Sequence, residues 1–355
     1  LKRISRFIVG LLLCLPAIAR GADDAKAYLP AGDESAKYHA EVVIKDLDNP
    51  CGLALRPSND REASQEFLFA ESGAGKVLGF TAQKPKETRE VLTDLVVDEV
   101  EELKSQASAW SLGFVTPTKL AVYGGMKEAG NRVGVYVLPT EPVSLAADKQ
   151  DQQVTIAEDD SDKSRPILAG MTFGETMAYL ANGAVNRPGQ IYRAGLVANR
   201  LETPQPLLNT VESKRLPWPT GLCLSPSSKV QFLVAAFAGE MTDERDSRLV
   251  FLIPVSGNPT LELTPGLFDI VGLAYSPSGQ LYAIDLAWQD EKAGGVYRLD
   301  DVRFEGQPAC RAVKIAEVVR PTSLLFTPDG ALYVTSWGNR LNAKQGAVVK
   351  ITGEF

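Results

Sequence analysis

The sequence predicts an all-β protein folded as a six-bladed β-propeller with four antiparallel strands per blade. Three observations lead there. A hairpin-like stretch recurs along the chain, the copies are spaced about 50 to 60 residues apart, and glycine and proline punctuate the whole length. Of 355 residues, 45% are apolar and 23% charged, which is enough to bury a large core. The 30 glycines and 22 prolines separate short apolar runs, as turns separate strands.

The clearest copies of the hairpin are RPTSLLFTPDGALYVTSWG from Arg320, DIVGLAYSPSGQLYAIDLAW from Asp269 and WPTGLCLSPSSKVQFLVAAFAG from Trp218. Each passes from a polar or Pro start through Gly or Ser into an apolar strand. A Ser/Thr-Pro turn, a second apolar strand and a loop of small residues follow. Weaker copies are NPCGLALRPSND with EFLFAESGAG, AWSLGFVTPTKLAVYGG, and RPILAGMTFGETMAYLANGA. Gly52, Ser111, Leu168, Gly221, Gly272 and Ser323 mark the same place in the six copies.

A third strand is expected after each hairpin, at residues 75–80, 133–137, 190–193, 248–251, 295–299 and 347–351. Fourth strands are expected at 90–92, 154–156, 261–263 and 312–315. The last unit has no strand-like segment after its third strand. Ala40-Glu41-Val42-Val43-Ile44-Lys45 precedes the first hairpin where a fourth strand always stands, so residues 40–47 are expected to complete the sixth blade and close the ring. The Pro328-Asp329-Gly330 turn then falls on one face of the ring, and Arg320 and Trp337 on the other.

The first residues read differently. Lys2, Arg3 and Arg6 precede an apolar run from Phe7 to Leu15, and Ala17-Ile18-Ala19 follows as a small-residue cleavage site. This is the pattern of an export signal, so residues 1–22 are expected to be a signal peptide, 23–39 a linker and 40–355 the propeller. A secreted or periplasmic location follows, with no membrane-spanning segment after signal removal. A net charge of -7 and a pI near 5.1 argue against nucleic acid as a partner. Cys51, Cys223 and Cys310 are widely spaced and lack any CxxC pair, which fits small buried side chains better than a disulfide framework or zinc site.

The unit P-x-G-L-x-x-x-P-x-G-x-L-Y-V followed by G-x-V-x-R-L resembles the repeat of six-bladed propellers of the NHL-repeat and gluconolactonase-like superfamily (SMP-30/gluconolactonase-like, TolB-like). The resemblance covers residues 40–355. It implies the architecture, and it is compatible with hydrolases, lyases, dehydrogenases and binding modules alike. Metal-dependent lactonases of that superfamily hold a divalent cation with Glu, Asn and Asp at the starts of inner strands. The corresponding residues here are Cys51, Trp110, Ile167, Thr220, Val271 and Thr322, which lack carboxylate oxygens. Asp48 and Asp269 are the acids nearest to that ring and define the alternative, a lactonase-type hydrolase using a divalent cation such as calcium. Glu71 and Asp285 would join them. The single histidine, His39, is expected outside the channel, which leaves no base for a histidine-dependent mechanism.

Loops that join an outer strand to the next inner strand share a face with loops that join second to third strands. On that face the sequence places Trp110, Trp218, Trp337, Arg165 and Arg320, with Glu71 and Asp285 beside them. Trp and Arg are the usual energetic anchors of interfaces, while tryptophans at such places equally pack between blades and arginines pair with neighbouring acids. The expectation is therefore a binding module for a protein, peptide or carbohydrate ligand, with no cofactor.

Overall fold

The computed structural model describes residues 28–58, 64–126, 131–156, 169–183, 189–209, 218–226, 230–339 and 341–355. Residues 1–22, read as the export signal, lie outside them. Six small antiparallel sheets are arranged as the blades of a β-propeller. Blade 1 is built from Pro50–Leu55, Glu66–Glu71, Lys76–Thr81 and Lys84–Thr93, in order from the inside outward. Blade 2 follows with Ala109–Thr116, Lys119–Gly124, Arg132–Val137 and Gln152–Thr155, and blade 3 with Met171–Phe173, Met177–Asn182, Gln190–Val197 and Gln205–Asn209. Blade 4 takes Trp218–Leu224, Leu233–Ala238, Arg248–Leu252 and Pro259–Leu263. Blade 5 takes Ile270–Tyr275, Leu281–Asp285, Gly295–Phe304 and Gln307–Ala316.

Blade 6 closes the ring as the sequence indicates. Pro321–Phe326, Leu332–Ser336 and Gly346–Thr352 are completed by His39–Leu47 on the outside. The closing strand runs antiparallel to Gly346–Thr352, with His39 opposite Thr352, Val42 opposite Val349 and Leu47 opposite Gly346. Two register shifts bend it, one between Val42 and Ile44 and one between Ile44 and Leu47. His39 is exposed on this outermost strand, away from the inner strands.

Strands here are apolar on both faces because each blade is covered on both sides. In Lys119–Gly124, Leu120 and Val122 pack with Leu68, Ala70 and Val77 of blade 1, while Ala121 and Tyr123 join Ala178, Leu180 and Tyr192 of blade 3. Blades 6 and 1 meet through Phe67, Phe80 and Tyr333, whose rings lie 4.8 Å (Phe67–Phe80) and 4.3 Å (Phe67–Tyr333) apart. Each fully buried aromatic of this kind contributes roughly 1.5–3 kcal/mol of transfer free energy.

The marker glycines are explained by the closeness of neighbouring inner strands. A Cβ at Gly221 would stand 2.8 to 3.1 Å from three backbone atoms of Gly272, and one at Gly170 would stand 2.1 Å from the Thr220 carbonyl oxygen. Gly170, not Leu168, therefore holds the marker position in blade 3. The Arg165-Pro166 pair resembles the Arg320-Pro321 start of blade 6 but stands two residues too early for Gly170.

Two blades carry a fifth strand that the sequence did not announce. Gly32–Asp33 pairs in parallel with Val313 and Lys314 at the edge of blade 5, and Leu145–Ala146 pairs in parallel with Leu92 and Thr93 at the edge of blade 1. The first of these is fixed by Glu34, which accepts a bond from Arg298 at 2.9 Å. A small hairpin, Asp98–Val100 with Ser105–Ala107, is inserted between blades 1 and 2. Among the described residues, no helix is long and apolar enough to cross a membrane.

Candidate functional site

The two sets of loops meet on one face in blades 1, 5 and 6. The Asp48 amide donates to Glu71 at 3.2 Å, the Phe268 and Asp269 amides donate to Asp285, and the Trp337 amide donates to the Arg320 carbonyl at 3.1 Å. This face is called the mouth below.

Around the inner ring, side chains hold one blade to the next. Thr220 donates its hydroxyl to the carbonyl of Ile270 at 2.6 Å, tying blade 4 to blade 5. Thr322 does the same to the carbonyl of Pro50 at 2.7 Å, tying blade 6 to blade 1, and meets the Thr335 hydroxyl at 2.9 Å. Cys51 is fully buried and receives the indole N–H of Trp337 at 3.3 Å; burial pushes its thiol up to about 12. Cys223 and Cys310 are also buried, and all three are free thiols.

Of the two readings open for the tryptophans, anchors on the rim or packing between blades, their burial fits the second. Trp218 is 0%, Trp337 1% and Trp110 7% exposed, and the last two rings meet edge to face at 6.4 Å. An indole at the start or end of an inner strand fills the wedge between neighbouring blades, where it removes a large apolar area from water. Arg165 and Ile167 lie outside the described residues.

Asp48 and Asp269 are on separate blades, with blade 6 between them. Asp48 packs against Gly73, where a Cβ would come within 2.4 Å of its Oδ1, and Asp269 is held in a group of its own. Among the described residues, no three His, Cys, Asp or Glu side chains gather in a way that could hold a metal ion. Glu71 is half-buried beside Asp48. Asn49, with φ of 46°, donates to Ser105, to the Gln106 carbonyl and to Asn342, and accepts the Asn342 amide at 3.2 Å. That reciprocal pair ties the blade 6 loop to the entry of blade 1, and both asparagines also bond the inserted hairpin at Ser105 and Gln106.

The distinctive chemistry sits over blades 4 to 6. Asp285 is 0% and Asp269 1% exposed. Asp285 Oδ1 accepts the amides of Asp269 at 2.7 Å and Ala287 at 3.1 Å, and its Oδ2 accepts that of Phe268 at 2.9 Å. Asp269 Oδ2 accepts the Trp288 amide at 2.8 Å. Burial pushes Asp269 up to about 7, reinforced by the charges of Asp285 and Asp246 and opposed by the Trp288 and Met241 amides. Burial likewise pushes Asp285 up to about 6, against the pull of its three amide donors and of Arg245.

Outside this pair lies a partly exposed platform. The guanidinium of Arg320 stands 5.3 Å over the ring of half-buried Trp288 and donates to Gly338 at 3.3 Å, to Asn339 at 2.7 Å and to Glu291 at 2.5 Å. Arg245 covers the ring of Phe268 at 4.6 Å and donates to the Gly266 carbonyl at 3.1 Å. The sequence reading places Arg320 on this rim and takes Met241 to Asp246 as a loop that caps the channel or is solvated; it does not single out Trp288. The available signal was sequence proximity, since Trp288 follows Asp285 by three positions in the same loop.

The fold and site define the class, a six-bladed β-propeller whose mouth carries a buried pair of carboxyls on blade 5 beside aromatic and cationic side chains. No protein-family profile and no curated protein matches the sequence. Solved structures match the fold. A luciferin-regenerating enzyme is 14% identical with a TM-score of 0.58, over 89% of this chain and 95% of that one. The WD40 β-propeller domain of Doa1 is 8% identical with a TM-score of 0.50, over 88% and 96%. The β-propeller domain of Cps50 (Swd1) from Myceliophteria thermophila is 12% identical with a TM-score of 0.46, over 86% and 84%.

Proposed function

We propose that the chain is an exported propeller of the NHL-repeat and gluconolactonase-like superfamily. Its mouth binds a protein, peptide or carbohydrate ligand and uses no cofactor. The β-propeller fold serves interaction scaffolds and enzymes alike, so the choice rests on the site. The observation that carries it is the Trp288–Arg320–Glu291 platform, a half-exposed indole stiffened by a stacked and hydrogen-bonded guanidinium. Rigid aromatic and arginine groups of this kind bind with little loss of side-chain freedom. Supporting it, the deeper polar groups are engaged in holding backbone: Thr220, Thr322, Asp269 and Asp285 each bind main-chain atoms.

The test is a screen of peptide and glycan arrays with the purified mature protein and its Trp288→Ala and Arg320→Ala variants. Ligands retained by the parent and lost by both variants, at unchanged melting temperature, would support the reading. Chelator-sensitive hydrolysis of lactones by the parent would replace it with the lactonase alternative. Export is tested separately by sequencing the N-terminus of protein recovered outside the cytoplasm, where a start near residue 22 is expected.

A further inference from the structure

The inserted hairpin, Asp98–Val100 with Ser105–Ala107, belongs to no blade, yet two side chains at the mouth bond the main chain of its second strand. Asn342 Nδ2 donates to the Lys104 carbonyl at 3.2 Å, and its Oδ1 accepts the Gln106 amide at 3.1 Å. One carboxamide thus takes both the acceptor and the donor that flank Ser105, as a neighbouring strand would. Asn49 Nδ2 adds a bond to the Gln106 carbonyl at 2.9 Å and one to the Ser105 hydroxyl at 3.0 Å. The two asparagines also fix each other, Asn49 Nδ2 to Asn342 Oδ1 at 2.7 Å and the Asn342 amide to Asn49 Oδ1 at 3.2 Å.

The side chains of the held segment alternate as those of an extended strand do. Leu103, Ser105 and Ala107 are 0%, 1% and 3% exposed, while Lys104 and Gln106 point to solvent. Leu103 and Ala107 enter the apolar cluster that holds Cys51, Trp110 and Trp337.

We propose that Asn49, Asn342 and this apolar cluster form a binding site for the main chain of an extended peptide, which residues 103–107 occupy as an internal ligand and which a partner peptide takes by displacing them.

The bonds made by the asparagines go to backbone groups that all residues but proline share, so they hold a peptide without reading its sequence. Selection falls to the inward positions. These accept an apolar residue, then a small hydroxyl-bearing one, then a small apolar one, as Leu103, Ser105 and Ala107 show. A hairpin with three residues in each strand is marginal by itself, so the segment can leave while the blades stay folded. Tethered beside its site, it competes at an effective concentration on the order of millimolar and weakens a free peptide accordingly. The inference rests on the reading that the mouth binds a ligand, and it narrows that ligand to a peptide.

The probe is a fluorescent synthetic peptide with the sequence of residues 101–108, blocked at both ends and titrated into the mature protein and its variants. Gln106→Pro removes the amide that donates to Asn342 and keeps both asparagines, so it frees the site and should bind the probe at least about tenfold more tightly than the parent. Adding Asn342→Ala to that variant should abolish the binding. Equal affinity in the parent and Gln106→Pro, or binding that survives the loss of Asn342, would overturn the inference. Should Gln106→Pro not fold, amide hydrogen exchange of the parent decides. With the probe in excess, Lys104 and Gln106 should lose protection by about tenfold or more while Val334 stays level, and unchanged protection sinks the inference. Probe binding that needs Asn342 but survives Trp288→Ala and Arg320→Ala would leave this site standing and remove the platform from the binding reading. Array ligands that need Trp288 and Arg320, with no probe bound by Gln106→Pro, would do the reverse.

Discussion

The hydroxyl of Thr322 donates to the carbonyl of Pro50 at 2.7 Å, across the seam at which the first and last blades meet. Thr220 repeats the bond two seams earlier in the ring, to Ile270 at 2.6 Å. In metal-dependent lactonases these ring positions would be ligands. Here two of them act as fasteners between blades.

Replacing Thr322 with Val keeps the shape and removes the bond, leaving a buried carbonyl of Pro50 and the Thr335 hydroxyl short of a partner. The loss should be about 1–3 kcal/mol in urea unfolding, with the slope unchanged. A loss under a few tenths would show that water replaces the bond freely.

Removing His39–Leu47 should do far more damage. It strips Val43 and Leu47 from the interface with Phe67 and Phe80 and leaves Gly346–Thr352 as a bare edge. The expected result is aggregation or loss of a cooperative melt, followed by light scattering and calorimetry. An unaltered melting temperature would contradict the closure.

Gly221→Ala tests the packing of inner strands. Its Cβ has no room beside Gly272, and both sides of the contact are backbone, so a cost of about 1–3 kcal/mol is expected from chemical denaturation.

The acid pair also sets a direction for stability against pH. Both folded-state values lie above the ordinary aspartate value of 3.8, so the folded protein binds protons more tightly than the unfolded chain. Their contribution is fully present below about pH 4, is lost as the pH rises to about 7, and is level above that. Asp33, Glu34 and Asp151 have lowered values and act in the opposite sense at more acid pH. Asp269→Asn should flatten the decline between pH 4 and 7 in thermal melts; an equally steep decline in the variant would assign it to other groups.

Most of the architecture was legible in sequence because a blade is a local pattern. Hairpin, third strand and fourth strand are each encoded by short alternating runs and turn residues, and the missing sixth outer strand could be found by counting. Blade 3 was harder. Its inner strand is only Met171–Phe173, and an Arg-Pro pair upstream imitated the start of another blade. The site was less legible for a physical reason. Trp110, Trp218 and Trp337 look like rim anchors by type and position, yet whether an indole points into a wedge or into solvent depends on loops from two other blades. The Asp269–Asp285 knot was hidden in the same way. The sequence assigns each acid to a mouth loop, but what they do is hold amides of Phe268, Ala287 and Trp288, and no sequence pattern records that.

The closing strand has a kinetic consequence. His39–Leu47 is made before any blade, and its partner Gly346–Thr352 is the last strand of the ring. Pairing of such sequence-distant segments is slow, because the entropy of closing the intervening loop is spent before the contact returns anything. The strand must therefore wait, unpaired, while five blades assemble. Glu41, Lys45 and Asp46, exposed along it, put charge on a segment that would otherwise be a free apolar edge throughout that wait. Folding of this propeller is thus expected to end where its chain began, with the ring's stability arriving in a single final step.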